Sequence, residues 1–167
     1  MPEQFLHGVE VIEIDEGIRP IQTVKSSVIG LIGTAPDAVA ATFPLNTPVL
    51  LANQPRKAAD LGDAGTLKDA VDAIYDQTGA TIVIIRVEEG VDTTATMSNI
   101  VGDGALGTGV HAFLSAENEV KVLPRILCAP GFTGDRPAAA ANPVVAELVG
   151  IAEKLRAVIV ADGPNTT

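Results

Sequence analysis

The run with the plainest chemical suggestion is Gly102-Asp103-Gly104-Ala105-Leu106-Gly107, a literal G-x-G-x-x-G. In a dinucleotide loop, such glycines let the backbone approach a pyrophosphate, and the amides of the next helix hold its charge. The surroundings do not suit that role. A dinucleotide loop comes after a strand, and Met97-Ser98-Asn99-Ile100-Val101 is a poor one. The acid that would hold a ribose belongs about twenty residues further on. The apolar residues 126–129 stand there instead. The loop reads as a flexible connection. A fragment of a nucleotide-binding α/β enzyme using residues 102–107 is the alternative function.

Other reactive side chains are few. His111, Ser115 and Glu117 stand close in sequence, but a catalytic triad is assembled in space, so that closeness supports one little. There is no G-x-S-x-G elbow. His111 reads as a partly exposed helix residue, and His7, beside Gly8, as a turn residue. Cys128 lies in an apolar stretch and reads as a small core hydrophobe, since reactive thiols need an electropositive, accessible setting. It is the single cysteine, which excludes an internal disulfide and any cysteine-based zinc cluster. The acids do not space as a calcium loop. The sequence thus predicts no catalytic residues, no cofactor and no metal site.

Composition narrows the classes further. Of 167 residues, 47% are hydrophobic and 19% charged, enough to build a core and too apolar for wholesale disorder. Aromatics make up 3%, which argues against base-stacking platforms. The net charge of −10 makes nucleic acid and anionic membranes poor partners. The opening MPEQFLHGVE has no basic n-region and no apolar run. Apolar stretches such as Ile82-Val83-Ile84-Ile85 fall far short of the roughly twenty residues of a membrane span. The expectation is a soluble chain made in a cytoplasm.

The elements are set by hydrophobic period. Residues 1–20 hold five acids against Arg19. Within them Val9, Glu10, Val11, Ile12, Glu13 and Ile14 alternate, slip by one position, and alternate again. This predicts a strand with a bulge, or one touched on both faces. Gly17 and Pro20 separate it from the apolar run that begins at Val28. Such a strand is too small to bury its own apolar side and must add to a sheet. The continuous apolar run over residues 28–33 predicts a strand covered on both faces. A short strand comes next over residues 49–51, then a short helix over 55–61 that begins at Pro55 and stops before Gly62. Thr66 and Asp69 form a weak capping box for a helix that stacks Leu67, Ala70, Val71 and Ile74. Residues 81–87 read as a strand and 88–109 as a long surface loop. Thr108 is placed to cap a short helix over 110–116. A strand is expected over 125–129, a helix over 138–156 that stacks Val144, Leu148, Ile151 and Leu155, and a strand over 157–161.

Strand and helix in alternation predict an α/β fold: a mostly parallel sheet flanked by helices, preceded by an extended N-terminal arm. The division expected is an arm over residues 1–23, an α/β region over 24–123, and the start of a further βαβ unit over 124–167. That last unit is expected to be incomplete, because Asp162-Gly163-Pro164 stands after the last strand where a helix should begin.

Five stretches together resemble one family. They are His7-Gly8-Val9 with Glu13, Glu16-Gly17 and Arg19; Gly33-Thr34-Ala35; Phe43-Pro44-Leu45-Asn46 with Pro48-Val49-Leu50; Pro124-Arg125-Ile126-Leu127 with Ala129-Pro130-Gly131; and Glu153-Lys154-Leu155-Arg156-Ala157 with residues 162–167. In this order the chain resembles the N-terminal part of contractile bacteriophage tail sheath proteins, as in temperate myophages and R-type pyocins. The resemblance implies a structural subunit that stacks in rings of six around the tail tube and contracts to drive that tube through the host envelope. It implies neighbouring sheath subunits, the tail tube protein, and baseplate and tail terminator proteins as partners, and no nucleic acid or membrane. It places the protein in the virion tail, assembled in the host bacterial cytoplasm. It makes residues 1–23 an arm, with Val9, Glu10, Val11, Ile12, Glu13 and Ile14 donated to a neighbouring subunit. Family members are longer, and their C-terminal half supplies the second arm and the acceptor edge.

The enzyme alternative has a direct test. Calorimetry with NAD, FAD and ATP is expected to show no binding in the ~1–100 μM range of a working cofactor site. A dissociation constant in that range would restore the nucleotide reading.

Overall fold

The apolar run after Ser27 becomes the centre of the molecule. The computed structural model describes residues 27–136 and 140–163. In it β1 (Ile29–Thr34) is the middle strand of a five-stranded sheet, flanked on one side by β3 (Thr81–Val87) and β2 (Pro48–Ala52). On the other side stand β4 (Ile126–Cys128) and β5 (Val158–Val160). The β1–β3, β1–β4 and β4–β5 pairs are parallel. The outer β2 runs antiparallel to β3. The mostly parallel α/β sheet expected from the sequence is the one observed. The expected arm, with its strand from Val9 to Ile14, lies outside the described residues.

Both faces of β1 are covered, which is why its sequence is apolar without alternation. Leu31 faces one core with Leu51, Leu67, Val71, Ile82 and Ile84. Ile32 faces the other with Ile85, Ile100, Phe113, Leu127, Leu148 and Ile151. Gly30 makes the second packing possible, because a Cβ there would stand 2.8 Å from the Phe113 ring and 2.9 Å from Leu127.

Helices cover the two faces unequally. On the first lie α1 (Pro55–Ala58), a 3-10 turn over Ala59–Leu61, and α2 (Leu67–Gln77). Leu67 and Val71 are buried, and Ala70 and Ile74 pack beside them, so the predicted stripe of α2 faces inward. On the second face lie α3 (Thr93–Val101), a 3-10 helix over Gly109–Ser115, and α5 (Pro143–Leu155). The short α4 (Ala116–Val120) packs on the β2 side, where Ala116 and Val120 join Leu50 and Val83.

One boundary, one cap and one whole element depart from the sequence reading. The stretch 88–109 is not all loop, since α3 occupies its middle. Threonines lower its intrinsic helix propensity. It forms because the Asp92 side chain accepts from the Ala95 amide at 2.6 Å, and because Thr96, Met97 and Ile100 are buried. The helix expected from residue 138 starts at Pro143, where the Asn142 side chain accepts from the Val145 amide at 3.0 Å. The predicted capping box of α2 does not form. Thr66 gives its α2 N-terminus no side-chain bond, and its hydroxyl accepts from the Thr34 amide at 3.4 Å instead.

The inner face of α5 makes a stability prediction. Ile151 is 1% exposed, so Ile151→Ala is expected to lower unfolding free energy by about 2–5 kcal/mol. Urea denaturation checks it. A loss below roughly 0.5 kcal/mol, the surface-site range, would put the wrong face inside.

Candidate functional site

In a parallel α/β sheet, ligands bind beyond the carboxyl ends of the strands, at the point where strand order reverses. Here polar bonds cross much of that place, and a cavity of about 310 Å³ lies beyond the end of β3, lined by Asn46, Val87, Glu88, Asn99, Asp103 and Thr108. The Thr66 amide donates to the Thr34 carbonyl at 2.9 Å, which ties α2 to the end of β1 in addition to the hydroxyl contact. Beyond β4 and β5, the Thr133 hydroxyl donates to the Asp162 carboxylate at 2.9 Å and accepts from the Asp162 amide at 2.9 Å. Beyond β3, the Arg86 guanidinium donates to the Ala35 and Ala38 carbonyls at 3.2 and 3.1 Å. The Arg86 carbonyl accepts from the Asn46 amide, and the Asn46 side chain accepts from the Gly109 amide at 2.9 Å. Arg86 and Asn46 thereby pin the loop between β1 and β2. The sequence reading gave neither residue that task. The signal for Arg86 was there, as the one charge in an otherwise apolar strand.

The glycine-rich loop takes no dinucleotide geometry. It comes after helix α3, not a strand, and leads into a 3-10 helix. Its polar groups turn inward. The Asp103 side chain accepts from the Ala105 amide at 2.7 Å, and the Thr108 hydroxyl accepts from the Asp103 amide at 2.9 Å. Gly102 is required by local shape, with φ of 68° and Thr108 O 2.3 Å from where a Cβ would stand. The loop expected to be flexible is therefore a folded corner held by its own bonds.

The other sequence candidates separate in space. His111 Nε2 lies 3.4 Å from Glu147 on α5. Ser115 donates to the Ala112 carbonyl and to Glu119, at 3.0 and 2.7 Å. His111 and Ser115 thus have different partners, and no hydrogen bond or ion pair joins Glu117 to either among the described residues. Cys128 is half-buried, and burial together with the nearby Asp162 charge raises its thiol above the ordinary range. Among the described residues, no group of three His, Cys, Asp or Glu side chains is placed to hold a metal ion. No helix among them is long and apolar enough to cross a membrane. A cavity of about 450 Å³ opens between α3 and the start of α5, lined by Met97, Val101 and Pro143 with Asp135 and Arg136. Arg136 is committed to the Thr133 and Asp135 carbonyls.

Among the described residues, one sheet edge stands open. Ile159 packs beneath α5 with the larger core. On the other face of β5, Val158 and Val160 are 66% and 54% exposed. Their β4 partners Ile126 and Cys128 are half-buried beside them. The arrangement is that of a building block with an exposed apolar strand.

Comparison with known proteins agrees with that class. Residues 26–87 match the family described as tail sheath protein Gp18 domain III, N-terminal region. The chain is 41% identical over 162 residues to the tail sheath protein of Escherichia phage P2, covering 92% of this chain and 39% of that protein. It is 37% identical over 166 residues to a putative prophage major tail sheath protein of Pseudomonas aeruginosa (strain UCBPP-PA14), covering 98% and 42%. It is also 37% identical to the major tail sheath protein of Serratia phage KSP20, covering 94% and 40%. Over nearly its whole length the chain is similar to phage tail sheath proteins, as the five sequence stretches indicated. It spans about two fifths of the length of these curated relatives.

The thiol supplies the prediction here. Raised by burial first and the Asp162 charge second, Cys128 is expected to react with a maleimide at neutral pH at least about tenfold more slowly in the folded chain than in urea. The sign for stability is then fixed. A thiol held neutral in the fold favours folding below its unfolded value, and that contribution is lost as pH rises through the folded value. Cys128→Ala should remove that alkaline loss. Equal labelling rates in the folded and unfolded chain would contradict the placement.

Proposed function

We propose that this chain is a structural part of a contractile phage tail sheath. In this reading, it polymerises with neighbouring sheath subunits in rings of six around the tail tube protein. The stack is bounded by baseplate and tail terminator proteins, and its contraction drives the tube through the host envelope. The protein then resides in the virion tail and has no catalytic task. The observation that carries the reading is the 37–41% identity to tail sheath proteins over nearly the whole chain. The bonds that tie the loops to the strand ends and the separation of His111 from Ser115 fit a mechanical part. No observation favours the nucleotide-binding enzyme.

Residues 1–23 act in this proposal as an arm, with Val9, Glu10, Val11, Ile12, Glu13 and Ile14 adding a strand to the sheet of a neighbour. The apolar, β-branched pattern of that segment supports the role. So does its separation from β1 by Gly17 and Pro20. Residues 24–123 and 124–167 are then the anchored α/β part.

Two measurements test the proposal. Gold-labelled antibody raised against the chain is expected to decorate tails along their length in negative stain, and label confined to compact free particles would overturn the assignment. Deleting residues 1–20 from the complete sheath protein is expected to leave a folded species that forms no cylinders. Normal cylinders from that deletion would remove the arm from the assembly.

A further inference from the structure

The glycine corner and the histidine beside it are chemistry that the sheath reading leaves unused. Asp103 and Gly104 form an Asp-Gly step, and Asp162 and Gly163 form a second. An aspartate before glycine can rearrange, because the glycine nitrogen carries no neighbouring side chain to hinder its attack on the carboxyl carbon.

The two steps are held in opposite ways. The Asp103 carboxylate accepts from the Ala105 amide at 2.7 Å, two residues on. This Asx turn folds Cγ back over the peptide bond to Gly104, beside the nitrogen that would attack it. The Asp103 backbone is fixed as well, since its amide donates to the Thr108 hydroxyl at 2.9 Å and its carbonyl accepts from the Thr108 amide at 3.1 Å. At Asp162, the Thr133 hydroxyl that accepts from the backbone amide also donates to the carboxylate, both at 2.9 Å. That carboxyl is therefore turned toward its own amide and away from Gly163.

A base stands beside the first step. A Cβ placed on Gly104 would lie 3.3 Å from His111 Cε1, 3.5 Å from Nδ1 and 3.7 Å from Nε2, so the imidazole lies against the glycine. His111 Nε2 is 3.4 Å from the Glu147 carboxylate. A carboxylate there favours the tautomer with its proton on Nε2, which leaves Nδ1 as the acceptor on the Gly104 side.

We propose that Asp103-Gly104 is a self-modification site, at which the chain closes to a succinimide and reopens to isoaspartate with His111 as the base. The Gly104 nitrogen bonds to Asp103 Cγ while Nδ1 takes its proton, and the imidazolium returns that proton to the hydroxyl leaving the carboxylic acid. One water departs and a cyclic imide remains. Water then adds to the Asp103 backbone carbonyl carbon and breaks its bond to the Gly104 nitrogen. The main chain now runs through Cβ and Cγ, and the mass is unchanged. The carbonyl that accepted from Thr108 has left the main chain, which loosens the corner between α3 and the 3-10 helix. The reaction consumes its site and does not turn over. Every group it needs lies between Gly102 and Glu147, and the inference does not depend on the sheath reading.

Ageing of the folded 167-residue chain at neutral pH, then peptide mapping with electron-transfer fragmentation, locates isoaspartate although its mass equals that of aspartate. Isoaspartate is expected to form at Asp103 at least about tenfold faster than at Asp162, and the two rates are expected to converge in urea. His111→Gln is expected to slow the Asp103 reaction at least about tenfold in the folded chain and to leave the rate in urea unchanged. A purely structural role for His111 has the opposite sign, because a loosened corner lets the Gly104 nitrogen reach Cγ more often. Glu147→Gln, at the half-exposed partner, is expected to slow the Asp103 reaction about threefold by releasing the tautomer. Equal rates at Asp103 and Asp162 in the folded chain overturn the proposal, as does a folded His111→Gln chain that ages at the original rate or faster. Where His111→Gln does not fold, an unchanged rate in Glu147→Gln overturns it.

Discussion

Everything in this fold is placed by one constraint: β1 must be hidden on both faces at once. Leu31 and Ile32 are consecutive and both essentially inaccessible, so they face opposite cores. A strand with no polar side cannot lie at an edge or on a surface. Partners are needed on both flanks and helices above and below. The parallel neighbours β3 and β4 satisfy the first need, and α2 with α5 and the 3-10 helix the second. Parallel pairing in turn obliges long crossovers, which accounts for the loops that reach over the sheet.

Those crossovers are held by a few polar residues that each tie down several backbone groups. Arg86 and Asn46 fasten the β1–β2 loop. Asn142 is 1% exposed, caps α5 and donates to the Phe132 and Asp135 carbonyls, both at 2.9 Å. Arg125 donates to the Leu155 carbonyl at the end of α5. Thr133 and Asp162 close the far side. Several of these lie within the stretches that carry the family resemblance: Asn46 after the fully buried Phe43, Arg125 after Pro124, and Asp162. Their shared role is to satisfy buried backbone groups in loops, where an unmade hydrogen bond costs about 1–3 kcal/mol. Such residues read as chemistry in a sequence, but here they hold structure.

The molecule is unevenly finished. Among the described residues, the β3 side is closed by α1, α2 and α4, while β4 and β5 have helix cover on one face only. A net charge of −10 opposes indiscriminate association at low salt.

The sequence by itself determined much of this protein. Its continuous apolar runs located β1 and β3, since only strands buried on both faces lack alternation. The 3-4 spacing of Leu148, Ile151 and Leu155 located the buried side of α5, all three of which are inaccessible or nearly so. The five scattered stretches pointed to the tail sheath proteins. What only the tertiary structure decided was the choice of partners. Local pattern shows that a residue is apolar or able to cap, but not what it meets. Thr66 looked like a helix cap, and its hydroxyl bonds to the end of β1 instead. Residues 93–101 looked like loop because threonine is a poor helix former, yet a buried face for Met97 and Ile100 outweighed propensity. His111 was grouped with Ser115 by sequence distance and stands against Glu147 on a helix more than thirty residues away.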